Sequence, residues 1–392
     1  MKRTALLILT ALIAVVAARG AEVIVGAARP DIYEAPLAGK RVALLSNHTG
    51  MVDPATHTAD FMIARGINLT TLLSPEHGFR GTADAGEHVA SGRDAATGLP
   101  VVSMFDGRRR GLPDSVLDSF DVAVVDLQDV GARFYTYYIS MLDLMADCAR
   151  RGKSVVILDR PNPLGMVVDG PVLDMKYSSG VGRLPIPAVH GMTLGELALM
   201  ANGEGWIPGG ARLDSTDLTV VPVGGYTHQT RYELPVAPSP NLKTMQAIYL
   251  YPSLCFFEGT PVSVGRGTDN PFTLYGHPQM TGHRDFSFIP RPRPGAKNPP
   301  LKGRRCYGSD LSRLPVDTVI ARGLDLSYLI DAYRSTPSVR PFFTKFFTLL
   351  AGTPELRRQI ESGLGADEIR ASWHPGLDAF RKRRAPYLLY PE

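Results

Sequence analysis

Ser74-Pro75-Glu76-His77-Gly78-Phe79-Arg80-Gly81 gathers a carboxylate, an imidazole and a guanidinium within five residues. Those three groups suit proton transfer on a polar or anionic substrate. The preceding run Leu69-Thr70-Thr71-Leu72-Leu73 is short and apolar, the pattern of a buried strand. Pro75 and Gly78 then end that strand in a tight loop. Loops after the C-terminal ends of strands are where open α/β sheets bind ligands. The competing reading is a solvated turn in which Glu76 pairs with Arg80.

Other strand ends carry similar clusters. Asn47 and His48 follow an apolar run at 41–46. Asp126, Gln128, Asp129 and Arg133 follow the run at 121–127, with Tyr135, Tyr137 and Tyr138 just beyond. Asp159, Arg160 and Asn162 follow the run at 154–158. In a parallel sheet these ends share one edge, so the clusters converge on one crevice. Burying so many polar groups is costly unless they pair or bind something, which leaves a structural ion-pair network as the alternative. His190 adds an imidazole to the same rim or serves packing. In the second half, Glu258 and Arg266 stand beside glycines that let backbone approach a ligand closely, and they can reach across an interdomain cleft.

The elements that must position these groups alternate. Apolar runs at 41–46, 69–73, 101–104, 121–127 and 154–158 read as strands, and 58–65, 137–150 and 193–202 as helices. Thr193 with Glu196 three residues on is a capping-box pattern. Strands apolar on both faces, alternating with helices, predict a mostly parallel, Rossmann-like α/β sheet covered on both sides. From about residue 235 proline and glycine become frequent, with a Pro-rich loop at 290–300 and helical patterns at 325–334 and 354–362. The expected layout is therefore a catalytic domain at 22–235 and a smaller α+β domain at 236–392, closing over the cleft.

Residues 1–20 read as a secretory signal, with Lys2 and Arg3 before an apolar stretch too short for a membrane span. Cleavage is expected after Gly20 or Ala18, and a secreted or periplasmic location follows. Without Lys2, Arg3 and Arg19, 39 basic residues face 38 acidic ones, which gives no argument for nucleic acid. The basic runs at 108–110 and 381–384 read as a solvated turn and the polar face of a last helix. Cys148, Cys255 and Cys306 are an odd number without CxxC spacing, so neither a disulfide framework nor a zinc site is suggested. Walker A, GxGxxG, GxSxG and HExxH patterns are absent, which disfavours nucleotide binding and the familiar hydrolase elbows. His48, His57, His77, His88, His190 and His277 show no metal-ligand spacing, and no cofactor is expected.

SPEHGFRG, DLQDVGARFYTY, DRPNPLG, HGMTLGELA and FEGTPVSVGRGT, in this order, resemble the NamZ-type exo-β-N-acetylmuramidases, once classed as a domain family of unknown function. The resemblance runs from about residue 23 to the C-terminus. It implies a Rossmann-like domain without a dinucleotide and a smaller domain over its active-site edge. It also implies removal of N-acetylmuramic acid from the non-reducing end of peptidoglycan fragments, with Glu76 catalytic and His77 and Arg80 from the same motif. Pro261 departs from the pattern, standing where the FEGTN version has Asn, so one side-chain contact at that rim is not expected.

The residues fit such chemistry. Glycoside cleavage needs a proton donor and usually a second carboxylate. Glu76 is the expected donor, partly buried with Phe79 as an apolar wall, while His77 or Arg80 nearby would favour its carboxylate form. Asp126, Asp129 and Glu258 are candidates for the second role, unless the substrate's acetamido group supplies the nucleophile. A guanidinium suits the lactyl carboxylate of muramic acid, and Arg80, Arg133 and Arg266 are the candidates. Tyr135 and Tyr137 either stack on sugar faces or pack beneath the loop. Two other readings use the same crevice: a non-catalytic cell-wall sugar-binding module, and a metal-dependent hydrolase.

Overall fold

The computed structural model describes residues 22–76, 78–80, 91–104 and 111–392. The leader, His77, His88 and the basic run at 108–110 lie outside the described residues. Among the described residues, nine strands form in the first half: β1 (Val42–Ser46), β2 (Leu69–Ser74), β3 (Gly92–Arg93), β4 (Pro100–Ser103), β5 (Val122–Asp126), β6 (Ser154–Leu158), β7 (Asp169–Val172), β8 (Pro187–Val189) and β9 (Leu218–Val221). Seven of them make one sheet in the order β3-β4-β2-β1-β5-β6-β9, parallel throughout except for the short edge strand β3. The fold class is thus α/β with a mostly parallel sheet, as the alternating runs predict.

The two faces of the sheet follow the strand period of two. Ala43, Leu45, Leu73, Ala123, Val125, Val155 and Ile157 point to one face. Val42, Leu44, Leu72, Val122, Val124, Val156 and Leu158 point to the other. Helices α1 (Pro30–Leu37) and α2 (Thr58–Ala64) cover the second face through Tyr33, Leu37, Ala59 and Met62. The short helix α3 (Asp114–Leu117) precedes β5, and α4 (Tyr137–Arg150) and α5 (Leu194–Gly203) cover the first face. Thr193 and Glu196 form the expected capping box on α5.

The second half adds α6 (Met245–Leu254), a three-stranded antiparallel sheet and a group of helices. Its strands are β10 (Leu274–His277), β11 (Ser287–Phe288) and β12 (Cys306–Asp310), in the order β10-β12-β11. Its later helices are α7 (Val316–Arg322), α8 (Ser327–Ser335), α9 (Lys345–Ala351), α10 (Glu355–Glu361) and α11 (Ala366–Arg384). The buried apolar side chains of this half, among them Tyr251, Phe256, Phe347 and Phe380, belong to the same contiguous cluster as Ala43 and Val125. The two halves therefore share one core, and sliding them apart would expose apolar surface.

The chain also returns to the first half at its far end. Tyr390 donates its hydroxyl to Asp159 at 2.6 Å, and the Leu389 amide donates to Glu196 at 2.8 Å. Cys148, Cys255 and Cys306 are all buried free thiols. Among the described residues no helix is long and apolar enough to cross a membrane.

Candidate active site

Glu76 opens a cavity of about 920 Å³ that runs between the two halves. The first half contributes Glu76, just after β2, and Phe134–Tyr137 at the start of α4; the second contributes Tyr251, Glu258, Arg266, Phe272 and residues 295–300. This volume lies at the upper end of what small-ligand sites occupy and exceeds the needs of one sugar.

Glu76 is half-buried, as expected of a proton donor. Thr136 Oγ1 donates to its Oε2 at 2.6 Å, holding the rotamer from the segment between β5 and α4. Phe79 does not form its wall. That ring is buried under α2, edge-on to His57 at 5.1 Å, on the opposite face of the sheet. Aromatic rings shape the cavity elsewhere: Phe134 and Tyr251 meet edge-on at 5.4 Å, and Tyr251 and Phe272 at 5.1 Å.

Glu258 is the other carboxylate among the described residues lining the cavity. It follows α6 in a tight 3-10 turn. Arg266 Nε donates to its Oε1 at 2.7 Å, and the Cys255 thiol approaches its other oxygen at 3.7 Å. Arg266 lies over the Phe272 ring, 5.0 Å from the centroid, and keeps about a sixth of its side chain exposed at 17 %. The pairing with Glu258 raises the affinity of its guanidinium for a proton, against the cost of burial. The two second-half residues singled out by sequence are thus brought together on one wall.

Of the three arginines expected to read a carboxylate, only Arg266 borders the cavity. Arg80 turns away to grip Asp94 through two bonds of 2.8 and 2.7 Å. Arg133 is fully buried, with Nη1 on the Pro171 and Ile186 carbonyls and Nη2 on the Leu350 and Ala351 carbonyls. It caps the end of α9, where orphan carbonyls need donors, and burial pulls its guanidinium down to about 10.

Most of the remaining strand-end residues form scaffold rather than cavity wall. Asp126 is 0 % exposed; Arg160 donates to Oδ1 at 2.5 Å and to Oδ2 at 3.0 Å, and Thr58 donates to Oδ2 at 2.5 Å. Asp159 accepts from Thr193 Oγ1, the Gly195 amide and Tyr390, so it caps α5 and anchors the C-terminal segment; burial still raises its carboxyl to about 6. Asn47 Oδ1 accepts from both the amide and the hydroxyl of Thr49. Gln128 Nε2 donates to the Asp129 and Pro161 carbonyls. His48 reaches the Ala237 carbonyl at 2.9 Å, bridging to the connection between halves. His190 is buried, accepts the Met192 amide on Nδ1, and is held neutral by burial, which lowers it to about 3.

Asp129 differs from these. Oδ1 accepts the Gly131 amide at 2.7 Å, but Oδ2 is buried without a hydrogen-bond partner, and burial raises the carboxyl to about 7. Burial pushes the Tyr135 and Tyr137 phenols up, and the Asp129 charge adds a little to both. Tyr135 and Tyr137 line the cavity, yet both hydroxyls donate to the Pro238 carbonyl, at 2.6 and 3.1 Å. Their rings meet edge-on at 4.7 Å and pack beneath the loop.

Thr136, Phe134, Tyr251 and Phe272 line the cavity without having been singled out by sequence. Thr136 sits between two tyrosines in a motif whose charged members draw attention first. Among the described residues no group of three or more His, Cys, Asp and Glu side chains is arranged to hold a metal ion.

Comparison with known proteins fits this geometry. Residues 42–246 match the N-terminal, and residues 249–390 the C-terminal, model of the exo-β-N-acetylmuramidase NamZ. The peptidoglycan β-N-acetylmuramidase NamZ of Bacillus subtilis strain 168 is 36 % identical over 378 residues, covering 92 % of this chain and 89 % of that protein. Two crystal structures of DUF1343 family proteins from Bacteroides fragilis NCTC 9343 share the fold. One superposes with a TM-score of 0.87 at 51 % identity, over 95 % of this chain and 99 % of that one. The other gives 0.79 at 26 % identity, over 94 % and 99 %. With both halves matched in sequence, and a half-buried glutamate, a second carboxylate and an arginine gathered on one cavity, this chain belongs to the NamZ family of exo-β-N-acetylmuramidases.

Proposed function

We propose that this chain is an exo-acting glycosidase that releases N-acetylmuramic acid from the non-reducing end of peptidoglycan fragments, with Glu76 as the general acid/base. The observation that carries the catalytic assignment is the position of Glu76. It is half-buried, held by Thr136 at 2.6 Å, and borders the large cavity between the halves. Family membership and the printed activity of the Bacillus subtilis relative support the reaction class. Glu76 protonates the departing glycosidic oxygen. The second role falls to Glu258 on the same cavity, as a carboxylate or as the group that orients the substrate's acetamido oxygen. Asp126 drops out of that role because Arg160 and Thr58 occupy both its oxygens. Arg266 is the guanidinium that meets the lactyl carboxylate. His77 is proposed as a neighbour of Glu76 from the same motif. A secreted or periplasmic location is proposed from the leader pattern at residues 1–20.

The test uses residues 21–392 with a chromogenic β-N-acetylmuraminide and the matching β-N-acetylglucosaminide. Release from the muraminide alone is expected. Equal release from both would remove the lactyl role of Arg266. Glu76→Gln is expected to cut kcat by ~10²–10⁴ while sugar binding persists. Near-normal turnover in that variant would end the assignment, and saturable binding without product in the wild type would turn the chain into a binding module.

A further inference from the structure

One feature of the cavity is not needed for cleaving a single bond. Between Asp285 and Asp310 the chain holds six basic residues and no acidic one, although basic and acidic residues nearly balance elsewhere. Four of the six lie in residues 290–303, a segment that also holds five prolines. The Gly303 amide donates a hydrogen bond to the Pro290 carbonyl at 2.8 Å and so joins its ends, as in a compact Ω-loop. Residues 295–300 of this loop border the same cavity as Glu76.

The loop is fixed in place rather than draped. The Arg291 amide donates to the Gly267 carbonyl at 2.9 Å, one residue from Arg266. Asn241 Nδ2 donates to the Gly295 carbonyl at 2.7 Å. Gly267 has φ +81°, and a Cβ there would sit 2.5 Å from the Arg291 carbonyl and 2.6 Å from Pro299 Cγ. Only glycine lets the two segments close. Prolines restrict the loop's alternatives further. Of its cations, Arg293 pairs with Asp269 and Lys297 borders the cavity; Arg291 and Lys302 are exposed, as is Arg304 at its foot.

We propose that this loop makes its side of the cavity a subsite for carboxylates carried by the leaving part of the chain, so that the preferred substrate is an anionic glycan longer than a disaccharide. The inference rests on the muramidase reading above and extends it. In peptidoglycan, muramyl units recur at every second sugar, and each carries a lactyl carboxylate or, through it, an acidic peptide. A rigid cationic rim beside a cavity larger than one sugar meets that repeat. Exposed cations at a cleft raise local anion concentration and association rate, and salt screens them.

The test compares kcat/KM for the peptide-free disaccharide MurNAc-GlcNAc, the tetrasaccharide of two such units, the tetrasaccharide with its inner lactyl group methyl-esterified, and a peptide-bearing tetrasaccharide. Each is measured at low and high salt, in wild type and in Arg291→Gln/Lys302→Gln. At low salt the free tetrasaccharide is expected to exceed the disaccharide about fivefold. That ratio should fall toward one at high salt, in the methyl ester, and in the double variant. An advantage confined to the peptide-bearing substrate would keep the carboxylate subsite and assign its ligand to the peptide. A ratio near one on every substrate and at every salt, with the disaccharide still cleaved, would overturn the subsite alone. Failure to cleave any of the four would instead remove the muramidase reading and the subsite with it.

Discussion

Two polar clusters lie at the carboxyl edge of the same sheet, and they end very differently. At the ends of β1, β5 and β6, the Asp126 and Asp159 carboxylates are buried and each is met by several donors from the protein itself. At the end of β2, Glu76 is half-buried, accepts from Thr136, and is open to a cavity. Both clusters look alike as strings of charged residues at strand ends. What separates them is access from the cavity. The switch point beside β1, where open sheets commonly bind ligands, is filled by the chain's own Arg160 and Thr58. The binding space has moved one strand outward, to where the second half arches over.

That contrast can be broken from the scaffold side first. Arg160→Met leaves Asp126 buried without its cation, and removal of one partner of a buried pair costs roughly 3–5 kcal/mol. Chemical denaturation should register that loss. Specific activity of the folded fraction, by active-site titration, should stay within about twofold. A catalytic collapse without loss of stability would place Asp126 back in the site.

Asp129 tests the boundary between the clusters, being buried like the scaffold but short of a donor. Its carboxyl is raised to about 7 by burial, from an ordinary value near 4 in the unfolded chain. The folded state therefore binds the extra proton between those values, so its stability is highest at low pH and declines as pH rises from about 4 to 7. Asp129→Asn keeps an acceptor for Gly131 and removes this decline. The wild type is expected to lose on the order of 2 kcal/mol relative to the variant between pH 5 and pH 7, read from denaturation midpoints. Parallel curves for the two proteins would refute the assignment.

The smallest effect sharpens the site itself. Thr136→Val removes the hydroxyl that donates to Glu76. A loss of about tenfold in kcat is expected from the loosened rotamer, and Thr136→Ser should restore it. An equal loss in Thr136→Ser, or none in Thr136→Val, would reduce Thr136 to packing.

Much of this layout is legible in the chain. Apolar runs of five to seven residues correspond to β1, β2, β5 and β6, and the 3.6-residue period corresponds to α4. Helices α6 and α11 were harder to read because each contains a proline, Pro252 and Pro375. Both are retained by tertiary burial, α6 on every side and α11 along one face, which local propensity does not report. Glu76, Glu258 and Arg266 were found because their charges sit beside turn residues. Arg80 and Arg133 look equally suited by that measure. Nothing local reveals that Arg133 would find carbonyls at Leu350 and Ala351, more than two hundred positions away, or that Asp94 would claim Arg80.

The Tyr390 hydroxyl on Asp159 has a consequence for the order in which the molecule can be built. The sheet is complete by Val221, yet the carboxylate at the end of β6 gains its third donor from a residue 231 positions later. Glu196 likewise waits for the Leu389 amide. During synthesis from the N-terminus, an emerging first half must carry each of these acids one donor short and an apolar face uncovered, so its own folding stalls short of completion. Ribosome-stalled chains ending before residue 385 should consequently be cut by protease within the sheet, and the same sheet should become resistant once Tyr390 is added.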